Sequence, residues 1–226
     1  MLYTGKKTNE ILFPLGGIGS GSINLAGNAS LVDWEIFNRA NKNTCNGNSH
    51  FAIRAEYPNG ETVVKILQGD QTKNLGGLFG ATGTPMTAFP HFKKVKFDAT
   101  FPLATVTLED DNFPAKVILK AFNPLIPLDA YNSSIPSAFF EIDVKSKVDG
   151  VKYLITLAVK NPFECGLNEK VESKKYTAIK LSHYGVDKSD LKYGDLTVAV
   201  DDKEGIAQKY WFRGAWCDAV TTFWHE

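Results

Sequence analysis

Cysteine is scarce in this sequence, an excess of either charge is missing, and no apolar run is long enough to cross a bilayer. The three cysteines, Cys45, Cys165 and Cys217, are odd in number and widely spaced. That fits neither a disulfide framework nor a CxxC metal knuckle, so free thiols in a reducing compartment are expected. The 25 Lys plus Arg balance 25 Asp plus Glu, and no Lys/Arg run exceeds two residues. Proteins that bind nucleic acid through phosphate contacts carry a basic excess or stripe, so that class is excluded. The start, Met1-Leu2-Tyr3-Thr4-Gly5-Lys6-Lys7, lacks the apolar core of a signal peptide, and no transmembrane segment follows. A cytoplasmic protein is the expectation, and Asn28-Ala29-Ser30 and Asn132-Ser133-Ser134 then carry no glycosylation meaning.

Helical periodicity is missing too. No stretch longer than ten residues repeats apolar groups at i, i+3, i+4 and i+7, whereas from about residue 50 the dominant period is two. Phe51, Ile53, Ala55 and Tyr57 alternate with polar or small residues, Pro58-Asn59-Gly60 turns the chain, and 62–67 returns as a β-branched run. Residues 103–108 and 115–122 make a second pair around Asp110-Asp111-Asn112. The strand 137–145 puts Ala138, Phe140, Ile142 and Val144 on one face. A Val148-Asp149-Gly150 turn leads to 151–160, and further strands are predicted near 175–182 and 195–200. The pattern predicts an all-β protein, an antiparallel β-sandwich with few helices, forming a single domain over 1–226. Residues 68–90, rich in Gly and Thr, read as a long loop across one end. The abrupt finish after Phe223-Trp224-His225-Glu226 predicts a piece of something longer.

Several chemistries fail on spacing. Gly16-Gly17-Ile18-Gly19-Ser20-Gly21-Ser22 is not GxGxxG and no Gly-Lys-Ser/Thr closes a phosphate loop, so these glycines read as a strand that allows close backbone approach. His50, His91, His183 and His225 lack metal-ligand spacing, and no GxSxG elbow is present. No metal or other cofactor is expected. The tightest carboxylate pair in an aromatic setting is Asp33 and Glu35 around Trp34, with Asn38 following. On a strand, i and i+2 share a face about 7 Å apart, near the separation of glycosidase acid/base pairs. Any D-x-E on a strand gives that spacing, so a hydrogen-bonded structural cluster is the commoner outcome. Trp34, Trp211, Trp216 and Trp224 suit sugar stacking or, more commonly, a core or interface.

Two blocks carry a resemblance. Phe13-Pro14-Leu15-Gly16-Gly17-Ile18-Gly19-Ser20-Gly21-Ser22-Ile23, then Gly27 and Leu31-Val32-Asp33-Trp34-Glu35-Ile36-Phe37-Asn38-Arg39, resembles the start of the N-terminal domain of family 116 glycoside hydrolases. That family contains bacterial β-glucosidases and the non-lysosomal, bile-acid type glucosylceramidases. Ala121-Phe122-Asn123-Pro124-Leu125-Ile126-Pro127-Leu128-Asp129 with Asn132-Ser133-Ser134-Ile135-Pro136 is similar to a second block of that domain, in the expected order. The resemblance implies a β-sandwich packed on a separate C-terminal (α/α)6 barrel that holds the nucleophile and the acid/base. No position here matches those catalytic motifs, so no catalytic residue is expected in this chain. Asp33, Trp34, Glu35, Asn38, Trp211 and Trp216 remain as substrate-binding or interdomain candidates, with carbohydrate at the domain rim. The alternatives are a stand-alone carbohydrate-binding module and a scaffolding module.

Overall fold

The computed structural model describes residues 1–42, 44–70, 86, 89–191 and 193–212. The strands, in chain order, are β1 (Leu2–Thr4), β2 (Leu12–Leu15), β3 (Ser22–Ala26), β4 (Leu31–Glu35), β5 (His50–Glu56), β6 (Thr62–Ile66), β7 (Lys94–Thr100), β8 (Leu103–Glu109), β9 (Ala115–Phe122), β10 (Phe139–Ser146), β11 (Lys152–Ala158), β12 (Gly166–Val171), β13 (Thr177–His183) and β14 (Asp195–Val200). The only helices among the described residues are a 3-10 segment, Gly5–Glu10, and α1 (Ala130–Ser133). The chain divides into two compact units, Met1–Ala158 and Val159–Glu226.

The first unit centres on an antiparallel sheet in the order β1-β7-β8-β9-β10. Because side chains alternate across a strand, Phe97, Val106, Leu108, Val117, Leu119 and Ala121 all fall on one face and are closed to solvent. The opposite face is polar: in register across β7, β8, β9 and β10 it presents Lys96, Thr107, Ile118 and Asp143. Exposed pairs such as Lys120–Glu141 at 2.6 Å sit there and contribute little to stability. Two three-stranded sheets, β2-β3-β4 and β11-β5-β6, meet the apolar face. Phe13 of β2 approaches Phe97 with ring centroids 6.4 Å apart, and Phe51 of β5 meets Phe140 of β10 edge-on at 5.2 Å. The first unit is the antiparallel sandwich that the period-two pattern predicts.

One charge pair lies inside it. The Lys65 ammonium donates to Asp110 Oδ2 at 3.1 Å and to the His91 carbonyl at 2.8 Å, while the Asp110 carboxylate also accepts from the Asn112 and Lys93 N–H groups. Every partner of this buried carboxylate is a donor, which is the condition for a buried charge to be tolerated.

The turn at Val148-Asp149-Gly150 lies where the sequence places it but does not join paired strands. β10 pairs with β9 and β11 pairs with β5, so the turn passes from one sheet to another. The Gly16–Gly21 run is a loop between β2 and β3 rather than a strand, because Gly16, Gly19 and Gly21 all take positive φ.

The second unit contains the antiparallel sheet β12-β13-β14. Its Asn161 side chain donates to the Leu167 and Ser182 carbonyls and to Asn168 Oδ1, tying the entry segment to β12 and β13. The Phe163 ring rests on His183 with centroids 4.2 Å apart.

Candidate functional site

The two sequence blocks, about a hundred residues apart, meet in the first unit. Asn123, which follows β9, turns its amide onto the strand before the glycine loop. Its Oδ1 accepts from the Gly16 N–H at 2.7 Å and its Nδ2 donates to the Pro14 carbonyl at 2.8 Å. The side-chain amide thus makes the two bonds that a neighbouring strand's peptide would make. Two residues on, the Ile18 N–H donates to the Ser133 carbonyl at 2.9 Å. Between these contacts Gly17 lies against the turn of the second block: a Cβ there would strike the Ile135 carbonyl oxygen and lie 2.5 Å from Ser134 C.

The second block is fastened internally as well. Ser133 Oγ donates to the Ile126 carbonyl and accepts from its N–H, both at 2.9 Å. Asp129 caps α1 by accepting from the Asn132 N–H at 3.0 Å; that bond, with a second from the Asn132 side chain, holds its carboxyl below the ordinary range.

On its other side the glycine loop touches the Asp33 segment. A Cβ on Gly21 would lie 2.6 Å from the Glu35 carbonyl oxygen, and Gly21 has φ +89°, so two independent constraints require glycine. In β4, Asp33 has φ +48°, and the β3–β4 pairing shifts register between Ser22 and Asn24. The strand alternation that would align Asp33 with Glu35 is therefore broken at Asp33 itself. Asp33 is 3% exposed, accepts from Asn24 Nδ2 at 3.0 Å, and has the Lys42 ammonium 3.9 Å from Oδ2. The same ammonium binds Glu35, and that bond, ahead of the pull of the two carboxylate charges, raises the Lys42 pKa. Half-buried Cys45, bridged through its backbone to Val32, has its thiol pushed up by burial and then by the Asp33 charge.

The site candidates separate as follows. Asp33 and Glu35 come together on one lysine. Trp34 is 5% exposed and donates from Nε1 to the Leu31 carbonyl at 3.3 Å, so its ring is packed inside. Asn38 is exposed at a turn in which Phe37 and Asn38 both take left-handed φ, near +57° and +55°. Trp211 lies half-buried in the second unit. Trp216, together with Cys217, Trp224, His225 and most of the expected 68–90 loop, lies outside the described residues. Asn123, Asn24 and Lys42 did not stand out in the sequence as site residues; Asn123, standing before Pro124, reads there as an ordinary turn residue.

Among the described residues no group of three His, Cys, Asp or Glu side chains could hold a metal, and no helix is long and apolar enough to cross a membrane. A comparison with curated proteins finds no match. A family model described as beta-glucosidase 2, glycosyl-hydrolase family 116 N-term, matches residues 13–226, which takes in both blocks, all of the second unit and the first from residue 13 on. The chain belongs to the N-terminal domain family of the family 116 glycosyl hydrolases.

Proposed function

We propose that this chain is the non-catalytic N-terminal domain, one domain over 1–226, of a retaining hydrolase of β-glucosides, with glucosylceramide-like lipids within its substrate range. Its work is to support the catalytic barrel of the same polypeptide in the cytoplasm, a compartment consistent with the free Cys45 and Cys165 thiols.

The observation that carries the non-catalytic reading is the state of the Asp33–Glu35 pair. A glycosidase acid must meet the glycosidic oxygen and its partner must meet the anomeric carbon from open space. Asp33 is buried and accepts from Asn24, and the two carboxylates share the single Lys42 ammonium. The pair fastens the β4 turn, and the closed Asp33 carboxylate offers no face to a substrate. Trp34 likewise presents no ring to a sugar, which tells against a stand-alone carbohydrate module built on it.

The test is kinetic, on the whole polypeptide with its barrel. Asp33→Asn and Glu35→Gln should each leave kcat on an aryl β-glucoside within about ten-fold, whereas loss of a true acid or base removes about 10²–10⁴. A drop in that larger range with the fold retained would overturn the division of labour.

A further inference from the structure

Resting on that functional reading, the shape of the first unit indicates which of its faces the barrel covers. Ile18, Gly21, Phe101, Asn123 and Leu125 are among the residues lining a groove of about 200 Å³. Small-molecule sites usually enclose about 300–1,000 Å³ and point several polar groups at the ligand. Here the Asn123 and Ser133 side chains, both at the groove, are committed to backbone groups, Asn123 to Pro14 and Gly16 across the junction of the two blocks and Ser133 to Ile126 of its own loop. The rims are apolar instead: Ile18 is 61% exposed and Phe101 59%.

The apolar character continues onto the neighbouring sheet. Leu103, Phe122 and Phe139 face one another in register at the end of the outer face, and the two rings stack 4.9 Å apart at 8°. One pleat further along, the same face carries Thr105, Lys120 and Glu141. The loop that follows Phe122 is fastened by Asn123, Ser133 and Asp129 yet leaves Tyr131 open to solvent. At about 200 Å² per ring, Phe101, Phe122, Phe139 and Tyr131 together expose roughly 400 Å² of aromatic surface, as large as the largest patch on a typical monomer. A fastened backbone with aromatic anchors, and with the Lys120 and Glu141 charges kept to the border, has the features of an interface core.

We infer that this end of the first unit, from Ile18 across Phe101 to the Phe122–Phe139 stack, docks on the catalytic barrel of the same polypeptide, with one apolar or aromatic side chain of the barrel seated in the groove. The groove's size and its lack of uncommitted Asn123 and Ser133 groups disfavour a sugar. A tethered partner suits the surface because its effective concentration is high enough to keep an apolar patch covered.

The experiment is hydroxyl-radical footprinting of the whole polypeptide, with Ile18, Phe101 and Tyr131 as reporters and Leu154, 57% exposed on β11, as the comparison. The expected result is labelling of the reporters several-fold slower than that of Leu154 after correction for intrinsic reactivity, at every protein concentration. Labelling at the rate of an equally exposed side chain overturns the assignment. So does shielding that vanishes on dilution, which marks a second copy as the occupant, or shielding that needs an added cello-oligosaccharide, which marks a sugar. The kinetics of Asp33→Asn and Glu35→Gln read the division of labour separately, so the two can fail independently.

Discussion

Removing the Asn123 amide tests how the two sequence blocks are joined. Asn123 is 8% exposed and makes bonds of 2.7 and 2.8 Å to the Gly16 N–H and the Pro14 carbonyl. Asn123→Ala leaves both backbone groups without that partner in a part-buried place, and each such loss costs about 1–3 kcal/mol. Allowing for partial access of water, we expect a loss of about 2–4 kcal/mol, or roughly 4–16 °C in Tm for a chain of this size. Asn123→Asp sharpens the test. Its carboxylate still accepts from Gly16 but faces the Pro14 carbonyl, so the protonated form, which can donate there, is favoured in the fold. Its folded-state pKa then lies above the unfolded value of about 3.9. The stability this group contributes is therefore present at low pH and lost as pH rises through the raised pKa. Urea unfolding followed by circular dichroism at pH 7 and pH 4 reads both effects. An Asn123→Ala variant within about 0.5 kcal/mol of the parent, the range of ordinary surface changes, would refute the reasoning.

Four further outcomes follow from the structure. Asp110→Ala strands the Lys65 ammonium, whose side chain is 10% exposed, and should cost about 3–5 kcal/mol in denaturant melts. Burial pushes the Asp110 carboxyl up, but the Asn112 N–H, the Lys65 ammonium and the Lys93 N–H outweigh it and hold its pKa below the ordinary value. Its contribution is thus present above about pH 4 and lost as pH falls through the depressed pKa, so Asp110→Asn should flatten the acid limb of a stability profile. Gly17→Ala forces the Ile135 turn away and should cost about 1–3 kcal/mol, measurable as a lower urea midpoint with an unchanged slope. Peptide mapping after brief alkylation at pH 8 should find exposed Cys165 modified well before Cys45, whose thiol is held protonated by burial and the Asp33 charge; equal rates would contradict that placement.

The strands legible in the sequence are those with one wet face or a strong turn signal beside them. β9 alternates Lys116, Ile118 and Lys120 with closed Val117 and Leu119, and β5 returns into β6 through a turn with Gly60 at φ +87°. β3 and β4 were not legible as a pair. Leu31, Val32, Asp33 and Trp34 are all buried, so no period-two contrast exists, and Pro14 within β2 reads as a break. Both blocks were visible by resemblance, but their meeting was not. Gly17 is small because of Ser134 and Ile135, and a one-dimensional pattern does not register a clash across that separation. The Asp33–Glu35 spacing suggested a shared face only under ideal strand geometry; the left-handed φ at Asp33 removed that premise.

On the proposed function, the hydrolytic chemistry of the whole polypeptide lies outside residues 1–226. A 2-deoxy-2-fluoro-β-glucoside with a good leaving group traps the carboxylate nucleophile of a retaining enzyme as a glycosyl ester. The whole polypeptide should be inactivated by it, and mass-spectrometric mapping should place the label on a carboxylate beyond residue 226. A label on Glu35, or on any other carboxylate of this chain, would contradict the account.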